Sequence, residues 1–460
     1  MPTLPTLLPG LARRRKRAGG TGGSAGVKTS QILAAKSIAR RLLRGFSETV
    51  ALKLWNDTST VVGNAATPRF TLVVHNPAVL RRLVFSKRNP IPLADAYFHG
   101  QLDVEGDFYA ALRLKAHFQQ LSLSTRDRAA LVLDALRLPK APAAVPRPRM
   151  ADTVKNFAHA HTRHSDSAAI SFHYDVSNAF YALWLDEQMV YSCAYYETPH
   201  DTLEQAQRNK LDHICRKLRL KAGEQCLDIG CGWGAMVCWA AQHFGVRAHG
   251  ITLSQKQYDY AKERIFQLGL QDRVTVERRD YRDLQGKERY DKISSIGMFE
   301  HVGLANLPVY NATVMRMLRP GGLFLNHGIT HDEEGWHPTV DSAFINRYVF
   351  PGGELDTISN IMRGMEHSGF EIHDVENLRP HYALTLREWV KRLEAKHAEA
   401  LHYVNEDAYR VWRFYMAACA MEFEAEGTGI YQILASRRGT HTLPVPLSRR
   451  DLYTTPLPDH

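Results

Sequence analysis

Cys226-Leu227-Asp228-Ile229-Gly230-Cys231-Gly232-Trp233-Gly234 is an apolar run that ends in alternating glycines. Ala235 to Phe244 follows at once with helical patterning, so the stretch predicts a strand, a tight turn and a helix N-terminus. Glycine tolerates positive φ and lets backbone approach a ligand, and a helix start offers free N–H groups. Alone, Gly-x-Gly-x-Gly is shared by several nucleotide-binding folds. A dinucleotide site carries an acid about 20 residues further on, for the ribose hydroxyls. Here that position falls in Gly250-Ile251-Thr252-Leu253-Ser254-Gln255-Lys256-Gln257, which has none. A nicotinamide or flavin site loses ground accordingly.

Around this turn, residues 150–440 alternate strand and helix, the signature of a parallel, doubly wound α/β sheet covered on both faces. Strands are predicted near 224–229, 246–251, 273–277, 291–296, 322–328 and 429–435, with a largely helical insertion between 335 and 420 that includes Leu386 to Tyr403. Ligands in such sheets sit beyond the carboxyl ends of the strands. That rim gathers the glycine turn, Gly250–Ser254, Gly297–Gly303 and Asn326–Ile329. Before it, residues 138–149 are too proline-rich for helix or central strand and read as a linker. Residues 49–137 read as a small α/β domain, in which Phe70–His75 alternates like a strand and Asn76-Pro77 opens a helix. Residues 441–460 are a C-terminal tail.

The chain of 460 residues has no apolar run approaching the roughly 20 residues a membrane-spanning helix needs. Arg13 to Arg17 and three early prolines argue against a secretory signal, so a cytoplasmic location is expected. None of the six cysteines forms a Cys-x-x-Cys pair, and no His cluster stands at zinc-finger spacing, so free thiols and no metal are expected. Charge is concentrated in residues 1–48. Residues 1–50 hold ten Lys and Arg against the single acid Glu48, which leaves the rest nearly neutral. Residues 1–30, rich in Gly, Arg and Pro, read as disordered. Beyond them Ile32, Ala35, Ile38, Ala39, Leu42 and Phe46 share one helical face, and Lys36, Arg40 and Arg44 another. A basic amphipathic helix on a detachable arm suits an anionic lipid surface, with a solvated tail or nucleic-acid contact as alternatives.

Further motifs arrive in order: Tyr191-Ser192-Cys193-Ala194-Tyr195-Tyr196, the glycine turn, Gly250-Ile251-Thr252-Leu253-Ser254, Gly297-Met298-Phe299-Glu300-His301-Val302-Gly303, Arg319-Pro320-Gly321-Gly322, and Phe344 to Gly353. The set resembles the cyclopropane-fatty-acyl-phospholipid synthase family, closely over residues 150–440 and loosely over 50–120. The resemblance implies a Rossmann-like class I S-adenosylmethionine-dependent methyltransferase. Such an enzyme methylenates the cis double bond of an unsaturated phospholipid acyl chain, peripherally on the inner face of the membrane. For the N-terminal domain it implies lipid binding or a dimer contact, and no nucleic acid is expected as a partner.

That reaction has three needs. The first is a cofactor cradle: Asp228, Gly230, Gly232 and Gly234 toward the methionine part, Thr252, Leu253, Ser254 and Gln257 toward the ribose, Asp280 and Tyr281 toward the adenine, and Tyr191 and Ser192 near the charged end. The second is a dry place for the carbocation left when a methyl group adds to an alkene. Aromatic faces attract a desolvated cation by about 2 kcal/mol, and Tyr174, Phe180, Tyr181, Trp184, Phe299 and Tyr348 are candidates. The third is a base that closes the ring. A lone buried carboxylate suits this poorly, because burial depletes its ionised form. The resemblance implies a bicarbonate ion held by Cys193, Glu300, His327, the Ile329 backbone and Tyr382. Cys419 occupies a place where some family members carry a cysteine once assigned to the active site; its apolar neighbours predict a buried packing residue instead. Three alternatives remain open: a fatty-acyl C-methyltransferase leaving a methyl or methylidene branch, a small-molecule N-methyltransferase, and a non-catalytic lipid-binding or transfer protein.

Overall fold

In the computed structural model, which describes residues 28–86, 91–140, 177–336, 353–439 and 444–453, apolar patterning sorts the chain into two packed units. The first holds α1 (Thr29–Leu42), β1 (Val50–Lys53), β2 (Ser59–Val62), β3 (Phe70–Val74), α2 (Ala78–Phe85), α3 (Ile91–Phe98), β4 (Leu102–Gly106), α4 (Phe108–Leu112), α5 (Leu114–Gln120) and α6 (Thr125–Leu136). Its sheet runs β2-β1-β3-β4, with β1 and β3 parallel and the other pairs antiparallel. As expected, a helix opens at Asn76-Pro77: the Asn76 side chain accepts the Ala78 N–H at 3.0 Å.

The detachable amphipathic arm is corrected here. The apolar face of α1 is covered: Ile32, Ala35, Ile38, Ala39 and Leu42 pack into the same core as Val50, Phe70, Leu131 and Ala135. Its basic side is partly tied down as well, Arg41 and Arg44 pairing with Asp127 at 3.5 and 3.3 Å. Amphipathic spacing announces a buried face without saying what buries it, and here α6 and the small sheet do.

The second unit holds α7 (Asn178–Ala182), α8 (Leu203–Lys217), β5 (Gln225–Ile229), α9 (Ala235–Phe244), β6 (Arg247–Thr252), α10 (Gln255–Gln267), β7 (Val274–Arg278), β8 (Tyr290–Ile296), α11 (Phe299–Val302), α12 (Leu307–Met317), β9 (Leu318–His331), α13 (Ile358–His367), β10 (Phe370–Asn377), α14 (Arg379–Ala395), α15 (His397–Ala400), α16 (Glu406–Glu424) and β11 (Thr428–Arg437). Seven strands stand in the order β10-β11-β9-β8-β5-β6-β7. β5 to β9 pair with one another in parallel, and β11 is antiparallel to both β9 and β10. Strand order reverses between β5 and β8, which opens the crevice where such sheets bind ligands. One element contradicts expectation: β10 lies inside the stretch read as helical. Its alternating Phe370-Glu371-Ile372-His373-Asp374 is an edge strand, paired on one side only and rich in charge.

The first unit docks on α16. Arg410 reaches Asp103 at 2.8 Å and the Tyr97 carbonyl at 3.1 Å, Arg413 reaches the Tyr97 hydroxyl at 3.0 Å, and the Phe98 and Phe414 rings meet edge-on at 5.3 Å. Several expectations lie outside the described residues: the disordered N-terminus before residue 28, most of the proline-rich linker, half of the C-terminal tail, Tyr174, and Tyr348 with nearly all of its motif. Among the described residues no helix is long and apolar enough to cross a membrane.

Candidate active site

Two cavities meet at the carboxyl ends of β5, β8 and β9. The smaller, about 120 Å³, is built on the glycine turn. Gly230, Gly232 and Gly234 all have positive φ, and the Gly230 and Cys231 N–H groups both donate to the Ile251 carbonyl at 2.9 Å, which folds the turn over β6. Tyr191, Ser192, Asp228, Gly230, Gly232, Thr252, Leu253, Gln257, Asp280 and Tyr281, all expected to cradle the cofactor, line this cavity. Gly234 and Ser254 do not. Gly234 starts α9, and the buried Ser254 side chain caps α10 by accepting the Gln257 N–H at 3.3 Å. Thr252 and Gln257 are joined at 2.8 Å, and Asp280 takes the Arg282 guanidinium on both oxygens at 2.9 and 2.6 Å.

Sequence reasoning missed Lys210, which lines the cavity from α8 and is buried. Its ammonium donates to Ser192 Oγ at 3.0 Å; burial pushes it down to about 8 against the pull of Asp186 and Asp228. Burial likewise pushes the Asp228 carboxyl up to about 6, opposed by a 2.7 Å hydrogen bond from Ser294 and by Lys210. The signal was available: Lys210 shares a helical stripe with Leu203, Ala206 and Ile214, where a charge has no place unless something pairs it. Arg279, Met298 and His301 also line this cavity without having been foreseen.

The larger cavity, about 480 Å³, is mostly apolar and is lined by Cys193, Glu300, His327, Ile329, Tyr382 and Cys419. The structure thus brings the implied anion-holding set to one place. Tyr191, Ser192, Gly297 and His301 line both cavities, so the two adjoin at these residues. Glu300 is 7% exposed, and burial lifts its carboxyl to about 7. Its Oε1 accepts the Ile329 N–H at 3.4 Å, while Oε2 has no partner. Both ring nitrogens of the buried His327 also lack partners, and burial holds this imidazole well below its usual range, so it is neutral. Three orphaned polar atoms in an apolar cavity fit a small ligand that both donates and accepts hydrogen bonds. Gly328 makes this arrangement possible: a Cβ there would sit 2.3 Å from the Phe299 ring and 2.7 Å from Glu300 Oε2.

Four expectations need correction. The Ile329 N–H is directed at Glu300. The Cys193 thiol, pushed up by burial, already donates to the Ala194 carbonyl at 3.2 Å. Phe180, Tyr181, Trp184 and Phe299 are core and face neither cavity; the first three pack with Trp389 and Trp412, Trp184 lying 5.5 and 5.7 Å from them, and Phe299 belongs to another buried cluster. Of the Trp184 cluster, Tyr191 reaches both cavities, 5.2 Å from Trp389. Cys419 is only half-buried and faces the larger cavity.

A glycine-turn cradle at the switch point of a seven-stranded sheet whose last strand, β11, lies antiparallel between β9 and β10 is the arrangement of a class I S-adenosylmethionine-dependent methyltransferase. The family model for mycolic acid cyclopropane synthetase matches residues 161–433, and the chain belongs to that family. A second model, a domain of unknown function, matches residues 38–124. A probable fatty acid methyltransferase of Pseudomonas putida is 41% identical over 407 residues, 87% of this chain and 95% of that protein. The cyclopropane-fatty-acyl-phospholipid synthase of Escherichia coli K12 is 40% identical over 265 residues, 58% of this chain and 66% of that protein. The solved structure of a cyclopropane synthase from Mycobacterium tuberculosis superposes with a TM-score of 0.56 at 32% identity, covering 60% of this chain and 99% of that one. A mycolic acid cyclopropane synthase solved with S-adenosylhomocysteine and the detergent CTAB gives 0.55 at 31%, covering 58% and 97%.

Proposed function

We propose that this protein transfers a one-carbon unit from S-adenosylmethionine to the cis double bond of a phospholipid acyl chain and closes it to a cyclopropane ring. The observation that carries this reading is the junction of the two cavities, with Glu300 and His327 beside it. S-Adenosylmethionine supplies an electrophilic methyl group when bound. Lys210 and Ser192 hold its charged end, and Tyr191 and Gly297 edge the junction where the alkene is met. The apolar lining keeps out water, which would quench the developing cation. Bicarbonate, when bound, supplies a base; Glu300 Oε2 and His327 are the groups that would hold it.

Glu300 supports a second reading of the base. Burial raises its carboxyl only to about 7, not beyond use. Such a group is roughly half ionised at neutral pH and is suited to take the proton itself. Turnover in carbonate-depleted buffer separates the two: persistence assigns the base to Glu300, loss assigns it to bicarbonate. A methyl or methylidene branch in place of the ring is favoured by the name of the Pseudomonas putida relative. Mass spectrometry of lipids from a host expressing the protein decides the product. Gain of CH₂ with resistance to hydrogenation indicates the ring. Gain of CH₂ that hydrogenates, or a saturated branched chain, overturns ring closure. Contact with an anionic membrane, on this reading, runs through charge on the outer face of α1 and the basic segment before it, with no inserted apolar face.

A further inference from the structure

The larger cavity does not stay within the methyltransferase unit. Beside Glu300 and His327 its lining includes Leu72 on β3, Tyr97 on α3, Phe108 and Ala111 on α4, and Leu114 and Phe118 on α5. On α5 Leu114 and Phe118 are buried and apolar, while Arg113 just before the helix and Gln119 near its end are exposed and edge the same cavity. This wall is held in register with the catalytic residues, because the Arg410, Arg413 and Phe414 contacts fix the small unit on α16, and Tyr415 and Cys419 of that helix line the same cavity. The family match that defines the methyltransferase begins after this unit, at residue 161. A mostly apolar cavity that holds the reactive groups and continues under a second unit has room for a hydrocarbon chain, and none of the residues on that wall is needed for chemistry.

We propose that the N-terminal unit is the selecting wall of the acyl site, with Ala111, Leu114 and Phe118 deciding how long an acyl chain is accepted. This deepens the reading above and rests on it. A methylene that finds no room in an apolar site forfeits about 0.8 kcal/mol, about fourfold in relative rate. Ala111→Leu narrows the wall and Phe118→Ala widens it, so the two move selectivity in opposite directions.

The test is competition between two phosphatidylglycerols with cis-unsaturated chains differing by two methylenes, mixed in one vesicle population and read by mass spectrometry of the products. Ala111→Leu is expected to lower the long-to-short product ratio by about fourfold or more, and Phe118→Ala to raise it. Binding of S-adenosylhomocysteine by the full-length variants is expected to match the parent, which reports an intact methyltransferase unit. Should one variant fail to fold, the other decides. A product ratio unchanged from the parent, with activity present, overturns the proposal. If the parent binds S-adenosylhomocysteine and modifies neither lipid, the proposed function itself fails, an outcome distinct from an unchanged ratio.

Discussion

Glu300→Gln is expected to stabilise the protein at the pH where it abolishes turnover. Burial lifts the Glu300 carboxyl from 4.5 to about 7, which means that the folded protein binds this proton more tightly than the unfolded chain does. Folding stability associated with it is therefore complete below about pH 4.5, declines as pH rises toward about 7, and levels off above. The decline amounts to about 3 kcal/mol at most. Glutamine is neutral throughout and keeps a carbonyl oxygen for the Ile329 N–H, so the variant escapes the decline. Urea unfolding of the cofactor-free enzymes from about pH 5 to about pH 8 should show the two proteins converging at the acid end and the variant ahead at the alkaline end. Turnover should be lost, with S-adenosylhomocysteine affinity little changed, because Glu300 does not line the cofactor cavity. Parallel unfolding curves at every pH would show that Glu300 is not held in a desolvated place, and the argument for its chemistry would go with it.

Lys210→Met should weaken S-adenosylhomocysteine binding by about tenfold or more, the worth of a charged hydrogen bond, and weaken a decarboxylated analogue far less; calorimetry showing equal losses would remove Lys210 from the charged end of the cofactor. Deleting residues 1–27 removes Arg13 to Arg17 and should weaken binding to anionic vesicles while leaving the thermal midpoint intact, at about 1 kcal/mol per basic residue near the surface; unchanged binding would mean that this segment does not meet the membrane. Deleting residues 1–50 should instead unfold the small unit, because Ile32, Ile38 and Leu42 leave its core and each contributes about 1.5–3 kcal/mol.

β5 was legible because an apolar run closed by Gly230 leads straight into a helix, and β6 to β9 because strand-length segments alternate with helical ones behind it. β10 was hidden by its place at the sheet edge, where one face meets solvent and charge dilutes the apolar alternation. Ser254 was read toward the ribose, but a serine hydroxyl serves a helix N-cap equally well, and here it accepts the Gln257 N–H at the start of α10. Phe180, Tyr181 and Trp184 carry the same chemistry whether they face a cation or each other. Spacing along a chain does not distinguish the two. Glu300, His327 and Tyr382 could be gathered into one set through resemblance alone, since they lie on three different elements. That their cavity continues beneath α4 and α5 was legible nowhere in the motifs, because it depends on how one unit sits on another.

The pairing of β11 between β9 and β10 has a consequence for synthesis. β9, which carries His327, is translated long before β11, so the growing polypeptide leaves the ribosome with an apolar strand exposed along one flank. Until β11 arrives that flank can template pairing with another nascent chain. The cofactor-binding strands β5 to β8 need no such wait. Expression at low temperature or with excess chaperone should therefore raise the yield of soluble enzyme more than any change to the cofactor half, because the vulnerable interval is the time between two strands of one sheet.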